Sequence, residues 1–554
     1  MKSGSPATGG GHADRRVAGR IAGSLAGGLG FLGGIWGGEA GTSLAVVAGA
    51  FLCTLAFGSW NGRAGVGAWL CLVLAAAPLL ALLPTALYDE PLWRAAIAGA
   101  LPFPLGGSWA PNTWGVLREW PAHLAVVGLL VWLQTVSSPW RPWRGLREGA
   151  LVLAALVSLV LAFQRWDSGF WLGPHRALLE TVFGTRNQAG TFAALALVGG
   201  LCMGFGSKSG PRRLAWLACA AAGLWGIFAL GSRGAAMAGA AGILVAAVRL
   251  RVPAPRVVPV VSVVVLVAVA GFVSSPLAKR VMGEGLGGWE RRAAIQRDAW
   301  GVLAGSPLQG TGLGNFGEVF VFYRDASADA NDVRHPESDW LWHACENGLD
   351  SGLAAAGLAA LFVWRWLLCR DPALSACGLG CIAVVLSHGL LDVPMHAPVL
   401  AFLAVPLCAV GGPGPPCGEP ARRIFRILLL SAMAAVLVAE SAFFRLFPRE
   451  RPAGFSPHRP IADIPSVREL ERWLGCYPLD ARVIEIWGHA AARAGNPRGY
   501  QAIRAALLVG PWDPSIASRA GSLARELGDA AEEDEFAAEH KHREATDSDG
   551  RNGE

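Results

Sequence analysis

Arginine and histidine stand where a chain this apolar should have few of them. Arg186 and Arg233 sit at the edges of apolar runs, Arg291, Arg292 and Arg297 cluster in one long polar stretch, and Arg324 and Arg334 precede His335 in it. Guanidinium groups bind phosphate oxygens in a fork and stabilise the charge that develops on a diphosphate leaving group. An imidazole with an ordinary pKa of about 6.5 suits a base that takes a proton from a hydroxyl. A single arginine is as well explained by snorkelling or a local acidic partner, and a single loop histidine by simple exposure. Several arginines around one loop system favour an anionic ligand.

Other chemistry-bearing residues read more plainly. His343 and Glu346 share a helix face with Asp339, as capping and packing groups would. His388, Asp392 and His396 have a spacing that suits a metal on a continuous helix, but Pro394 interrupts it and two ligands rarely hold zinc, so no metal is expected and Asp392 is assigned to the outer end of a span. The segment Gly310-Thr-Gly312-Leu-Gly314-Asn315-Phe316-Gly317 imitates a dinucleotide fingerprint, but no strand precedes it; it reads as a tight turn. The 11 cysteines form no CxxC pair, and Cys53, Cys71, Cys202, Cys219, Cys377, Cys381 and Cys408 fall in apolar runs as small buried hydrophobes.

The elements that position these groups are membrane helices. Of 554 residues 53% are hydrophobic and only 16% charged, and the mean hydropathy is +0.41. About 20 apolar residues cross the hydrocarbon, which places spans near 17–37, 42–58, 66–87, 122–138, 149–165, 188–206, 213–231, 234–250, 256–274, 349–369, 374–391, 397–411 and 424–440. The expected fold is therefore an all-α, polytopic transmembrane helix bundle of roughly 12–13 spans. Residues 1–16 form a cytoplasmic tail, with Arg15, Arg16 and Arg20 ahead of an uncleaved first span. With that tail inside, alternate short loops carry Arg63; Arg141, Arg144 and Arg147; Lys208, Arg212 and Arg213; Arg249, Arg251 and Arg256; Arg370; and Arg422 and Arg423, as the positive-inside rule requires. The net charge of +6 thus needs no nucleic acid. The long connections 88–121, 166–187 and 275–348 fall outside. Trp109, Trp114, Trp120, Trp140, Trp143, Trp166 and Trp171 read as interfacial belts, with sugar stacking the lesser alternative.

After residue 440 a Pro-rich linker, 441–465, leads to amphipathic helices over 466–531. A shift of 33 residues superposes Pro478 on Pro511, Asp480 on Asp513, Gly488 on Gly521, Ala491 on Ala524 and Gly495 on Gly528. That period resembles tetratricopeptide helical hairpins, a small soluble helical-repeat domain that would bind a protein partner. The acidic end, 532–554, is expected to lack fixed structure.

Several stretches taken together resemble the O-antigen ligase and polymerase family: Gly184-Thr-Arg186-Asn187-Gln188-Ala189-Gly190; Gly231-Ser232-Arg233-Gly234; Arg292 followed by Pro307 and the Gly310–Phe316 segment; His335-Pro336-Glu337-Ser338-Asp339-Trp340-Leu341 running to Glu346-Asn347-Gly348; and His388-Gly-Leu-Leu-Asp392-Val-Pro394. The resemblance covers roughly residues 180–400 and makes 17–440 an O-antigen-ligase-like domain. It implies a metal-independent, cofactor-free glycosyltransferase of the bacterial inner membrane. Such an enzyme moves a glycan from an undecaprenyl-diphosphate carrier to a lipid, glycan or protein acceptor on the periplasmic face, where the C-terminal domain would also lie. Arg233 and Arg292 match the family's essential arginines, with Arg291 as the alternative register, and His335 matches its loop histidine. Arg186, Arg291, Asn187, Asn315 and Asp339 complete the implied substrate-binding set. The chain departs from the family after His335, where Glu337, Ser338 and Asp339 replace a second histidine or an Asn-containing tetrad. Two other classes stay open. A transporter or flippase would need midplane charges and related halves, neither of which stands out; a non-catalytic scaffold would leave the arginines unexplained.

Overall fold

The computed structural model describes residues 66–87, 92–103, 108–135, 141–166, 185–251, 287–327, 333–396, 398–409, 478–510 and 515–551, with a few single positions besides. The expected spans 17–37, 42–58, 256–274 and 424–440, the N-terminal tail and the linker lie outside these residues. In chain order the helices are α1 (Val66–Leu80), α2 (Leu92–Ala100), α3 (Thr113–Thr135), α4 (Arg141–Trp166) and α5 (Arg186–Gly206). There follow α6 (Gly210–Leu230), α7 (Arg233–Leu250), α8 (Gly287–Gly305), α9 (Phe316–Phe320), α10 (Asp339–Leu367), α11 (Pro372–Gly389) and α12 (Pro398–Cys408). The C-terminal region adds α13 (Ala481–Arg493), α14 (Arg498–Val509), α15 (Ser515–Leu527) and α16 (Ala530–Arg551). The fold is all-α: among the described residues there is no β-strand, only an isolated bridge between Pro84 and Ser108. The contacts divide the chain into two units, Met1–Ala75 with Pro121–Gly285 and Ala354–Ser441, and Ala76–Trp120 with Leu286–Leu353 and Ala442–Glu554.

The first unit is a bundle centred on α5, against which α4, α6, α7 and α11 pack. Among the described residues, α5, α6, α7 and α11 are long and apolar enough to cross a membrane. Nearly every residue of α5 from Gln188 to Gly204 is buried, whereas Leu214, Trp225, Met237, Leu244 and Val248 on its neighbours are exposed. Apolar faces of that extent suit lipid rather than water. Small residues allow the close approach: a Cβ on Gly200 would meet the Ala220 nitrogen at 2.7 Å, and one on Gly223 would meet the Ala193 carbonyl oxygen at 2.5 Å.

The two ends of this bundle differ in how they are tied. At the end where α5 finishes and α6 begins, Arg212 pairs with Glu148, and Arg249 reaches the Ser375 hydroxyl at 2.7 Å and the Cys369 carbonyl at 2.9 Å. Arg147 is buried there, stacked 4.6 Å from the Trp366 ring centroid and donating to the Pro406 carbonyl at 3.2 Å. Arg186 and Arg233 stand at the other end, as first residues of α5 and α7.

The second unit has a continuous apolar core. Trp93, Trp109, Phe316, Phe320, Leu341 and Cys345 belong to the same buried cluster as Ile484, Trp487, Ile503 and Phe536. Phe103 meets Trp487 edge to face at 6.1 Å, so the C-terminal helices share a core with residues from 88–121 and 275–348. Trp109 is not a belt residue. It is buried, and its indole donates to the Gly310 carbonyl at 2.7 Å. Helices α13 and α14 pair, as do α15 and α16, and α13 and α15 recur near the 33-residue period.

The acidic end is also ordered differently from the expectation for 532–554, being helical through Arg551. Its acids find arginines: Arg504 lies 2.8 Å from both Glu532 and Glu535, Arg525 lies 2.6 Å from Glu533, and Phe536 is buried beneath Arg504. Between α13 and α15, Glu485 is buried and pairs with Arg482 at 2.6 Å and Arg519 at 2.5 Å. Burial, then Arg493, Arg519 and Arg482, push the neighbouring His489 down to about 4, so it stays neutral near neutrality.

Helix α10 is broken at Gly348, where φ is 83° and ψ is 167°. Only glycine adopts that conformation readily. At the break the helix receives the loop after α8: Thr311 N donates to the Cys345 carbonyl at 2.8 Å, Gly312 N to the Glu346 carbonyl at 2.9 Å, and Leu349 N to the Pro307 carbonyl at 2.8 Å. A Cβ on Gly348 would fall on the Leu308 carbonyl oxygen. Gly348→Ala is expected to cost on the order of 3 kcal/mol or more. Gly99→Ala, which meets nothing within 4 Å, should be neutral or slightly stabilising. Thermal midpoints of the two detergent-solubilised variants check this; equal midpoints would contradict it.

Candidate functional site

The residues singled out from sequence fall into two groups, one in each unit. In the first unit α6 ends at Gly231, which adopts φ 65° as a left-handed cap, and Ser232 at once caps α7, its hydroxyl accepting from Ala235 N at 3.2 Å. Thr185 caps α5 in the same way, accepting from Gln188 N at 3.3 Å. The helix starts are tied together through Asn187, whose side-chain carbonyl accepts from the Ser232 hydroxyl at 3.0 Å and whose amide donates to the Asp392 carboxylate. Gln188 adds a bond to the Val393 carbonyl at 3.2 Å, and Thr191 meets His388 Nδ1 at 2.6 Å. His388 is fully buried and packs so closely on Gly234 that a Cβ there would lie 2.6 Å from its Nε2.

This latch brings two helix N-termini to one place, each opening on an arginine. The positive dipole ends of α5 and α7 add to the charges of Arg186 and Arg233. The arrangement suits an anion with several oxygens. His388 and Asp392, whose spacing imitates a metal pair, are instead engaged with Thr191 and Asn187.

In the second unit Arg292 and His335 meet on one carboxylate. Arg292 Nε lies 3.4 Å from one oxygen of Glu337, and His335 Nδ1 lies 3.9 Å from the other. The three side chains are partly exposed, at 30%, 27% and 22% for Arg292, His335 and Glu337, so a ligand in solvent can reach them. The His335 ring packs on Trp342 with centroids 5.4 Å apart and planes inclined by 30°. Arg291 is exposed one residue before Arg292.

The remaining predicted site residues have structural places. Asp339 is buried in the first turn of α10. Asn315 is wholly buried; its side-chain carbonyl accepts from Asn112 N at 2.8 Å and its amide donates to the Asn112 and Leu313 carbonyls at 3.1 Å each. It clamps the glycine loop to residue 112, because a buried amide must satisfy both its ends.

Two carboxylates have larger parts than sequence reading assigned them. Asp298 is buried on α8 and accepts from the backbone of Asp325, Ala326 and Ser327 and from the Ser327 hydroxyl at 2.6–3.1 Å. Burial would raise its carboxyl, but these bonds outweigh it and hold the pKa below the ordinary value. The signal was its register with Ile295 and Val302, positions that bury. Glu346 is buried under the glycine loop and accepts from Phe316 N at 3.3 Å.

Desolvation raises the Glu346 carboxyl from 4.5 to about 7, although hydrogen bonds from Trp342, Gly314 and Phe316 favour the charge. The folded state therefore binds a proton that the unfolded chain has released between these values. The stability this gives is fully present below 4.5 and is lost as pH rises through about 7, an effect of roughly 3 kcal/mol. The thermal midpoint of the protein should fall across that window, and Glu346→Gln should flatten the fall. An unchanged slope in the variant would contradict it.

A family model described as O-antigen ligase matches residues 217–355. The matched stretch contains Arg233, Arg292, His335 and the Glu346–Gly348 turn. No curated protein matches the chain.

Proposed function

We propose that the chain, whose residues 217–355 match a family model described as O-antigen ligase, is a glycosyltransferase of the inner membrane. It transfers a glycan from undecaprenyl diphosphate to an acceptor hydroxyl on the periplasmic face. The observation that carries the proposal is the meeting of Arg292 and His335 on Glu337 inside the matched stretch. A guanidinium and an imidazole held together supply the two things this transfer needs, a stabiliser for the leaving diphosphate and a base for the incoming hydroxyl.

Arg233 and Arg186, at the latched helix starts, form a phosphate-binding locus of their own. The acceptor oxygen attacks the anomeric carbon as the carbon–oxygen bond to the diphosphate breaks. His335 takes the hydroxyl proton, and undecaprenyl diphosphate departs with the bonding electrons. No metal has a role in this scheme. The charge segregation between loops supports the orientation, since the Arg147, Arg212 and Arg249 end is the cytoplasmic one under the positive-inside rule. The C-terminal helices, periplasmic in this topology, form a tetratricopeptide-like module suited to a protein partner.

Arg233→Ala and Arg292→Ala should each abolish transfer while leaving membrane insertion intact, and Lys should rescue poorly at a forked contact. His335→Ala should slow transfer by about 10²–10⁴-fold with the lipid-linked donor still retained. The assay is complementation of a deletion strain with surface glycans run on a gel: shortened chains mark a polymerase, unattached glycan a ligase, and altered glycoprotein a protein transferase. Full activity in both arginine variants would sink the assignment.

A further inference from the structure

Glu337 is the least expected residue near His335. It has φ 53°, in the left-handed region, which a long charged side chain adopts only under strain. The turn is held on both sides: the Ser338 carbonyl accepts from Trp342 N at 2.9 Å as α10 begins, and Gln296 on α8 donates to the Glu337 carbonyl at 3.1 Å. The result turns the carboxylate so that its two oxygens face different partners, Arg292 Nε at 3.4 Å and His335 Nδ1 at 3.9 Å.

We propose that Glu337 is the positioning residue of the transfer, setting the tautomer of His335 and the orientation of Arg292 at once. The inference rests on the reading of His335 as base and Arg292 as phosphate ligand. A carboxylate facing Nδ1 favours the tautomer with its proton on Nδ1, which leaves the Nε2 lone pair for the acceptor hydroxyl. When Nε2 takes the proton, the imidazolium forms beside the negative charge that Glu337 already supplies. The Nδ1 contact is longer than a hydrogen bond and closes as the acceptor engages Nε2. On the other side, a carboxylate at Nε restricts the rotation of Arg292 and so sets how its fork meets the donor phosphates. Trp342 fixes the plane of the imidazole, so Glu337 decides which nitrogen works. Glu337 touches neither substrate in this scheme and acts through its two neighbours.

The test measures the rate of glycan transfer in membranes of a deletion strain that holds its own lipid-linked donor and acceptor, complemented with E337Q, E337N, E337D, H335A or H335A/E337Q at matched abundance. Asn tolerates the left-handed backbone, so E337N keeps the turn while removing the charge. E337Q and E337N should lose on the order of 10–100-fold, and E337D should recover part of that, since it keeps the negative charge beside His335 and Arg292 at a longer distance. The H335A/E337Q pair should be no slower than H335A, because a positioning residue has nothing left to position. E337Q at the unmodified rate beside a slow H335A would overturn the inference alone. So would losses that multiply in the double variant, or an E337D as slow as E337Q. A fully active H335A would remove the reading of the reaction and this inference with it.

Discussion

The second unit depends on the seating of a glycine-rich loop in a broken helix. Gly348 interrupts α10, and at the break the backbone and side chain of Glu346 take up Gly312 and Phe316 while Pro307 accepts from Leu349. Gly310 completes the fit at φ 64°, with a Cβ there falling on the Glu346 carbonyl. The loop follows the helix that carries Arg292, and the broken helix follows the turn that carries His335. Fixing one against the other therefore fixes the distance between the two groups. Asn315 and Trp109 extend the same lock, so a few buried polar atoms with full partners set a geometry that apolar packing alone would leave loose.

The first unit solves a related problem with helix ends. Two helix N-termini that each open on an arginine repel one another through their positive ends. Asn187 ties them together, accepting from Ser232 and donating to Asp392. The opposite end spends its arginines differently, on carbonyls, a hydroxyl and an indole ring of neighbouring helices.

Much of this was legible in the residues. Hydropathy located α5, α6, α7 and α11 within a few residues, because long apolar runs in lipid have few alternatives to a helix. Motif order singled out Arg292 and His335, which the structure brings together on Glu337. Burial was harder to read. Trp109 and Asn315 sit in polar loops, and only tertiary packing makes them core residues. The acids of 530–551 look like a solvated tail until Arg504 and Arg525 supply partners. Glu337 was visible as a departure from the family pattern, but its position between Arg292 and His335 needed the left-handed turn that no propensity at a glutamate would forecast.

The account stands on the release of a diphosphate lipid as the glycan is transferred. The most direct measurement reconstitutes the purified protein in liposomes with undecaprenyl-diphosphate-linked glycan and acceptor-bearing membrane extract, with and without a chelator. It quantifies free undecaprenyl diphosphate by mass spectrometry. The expected result is one carrier released per glycan transferred, at the same rate with the chelator and at background for Arg292→Ala. Glycan crossing or binding with no carrier released would contradict the account, as would release that stops when divalent cations are removed.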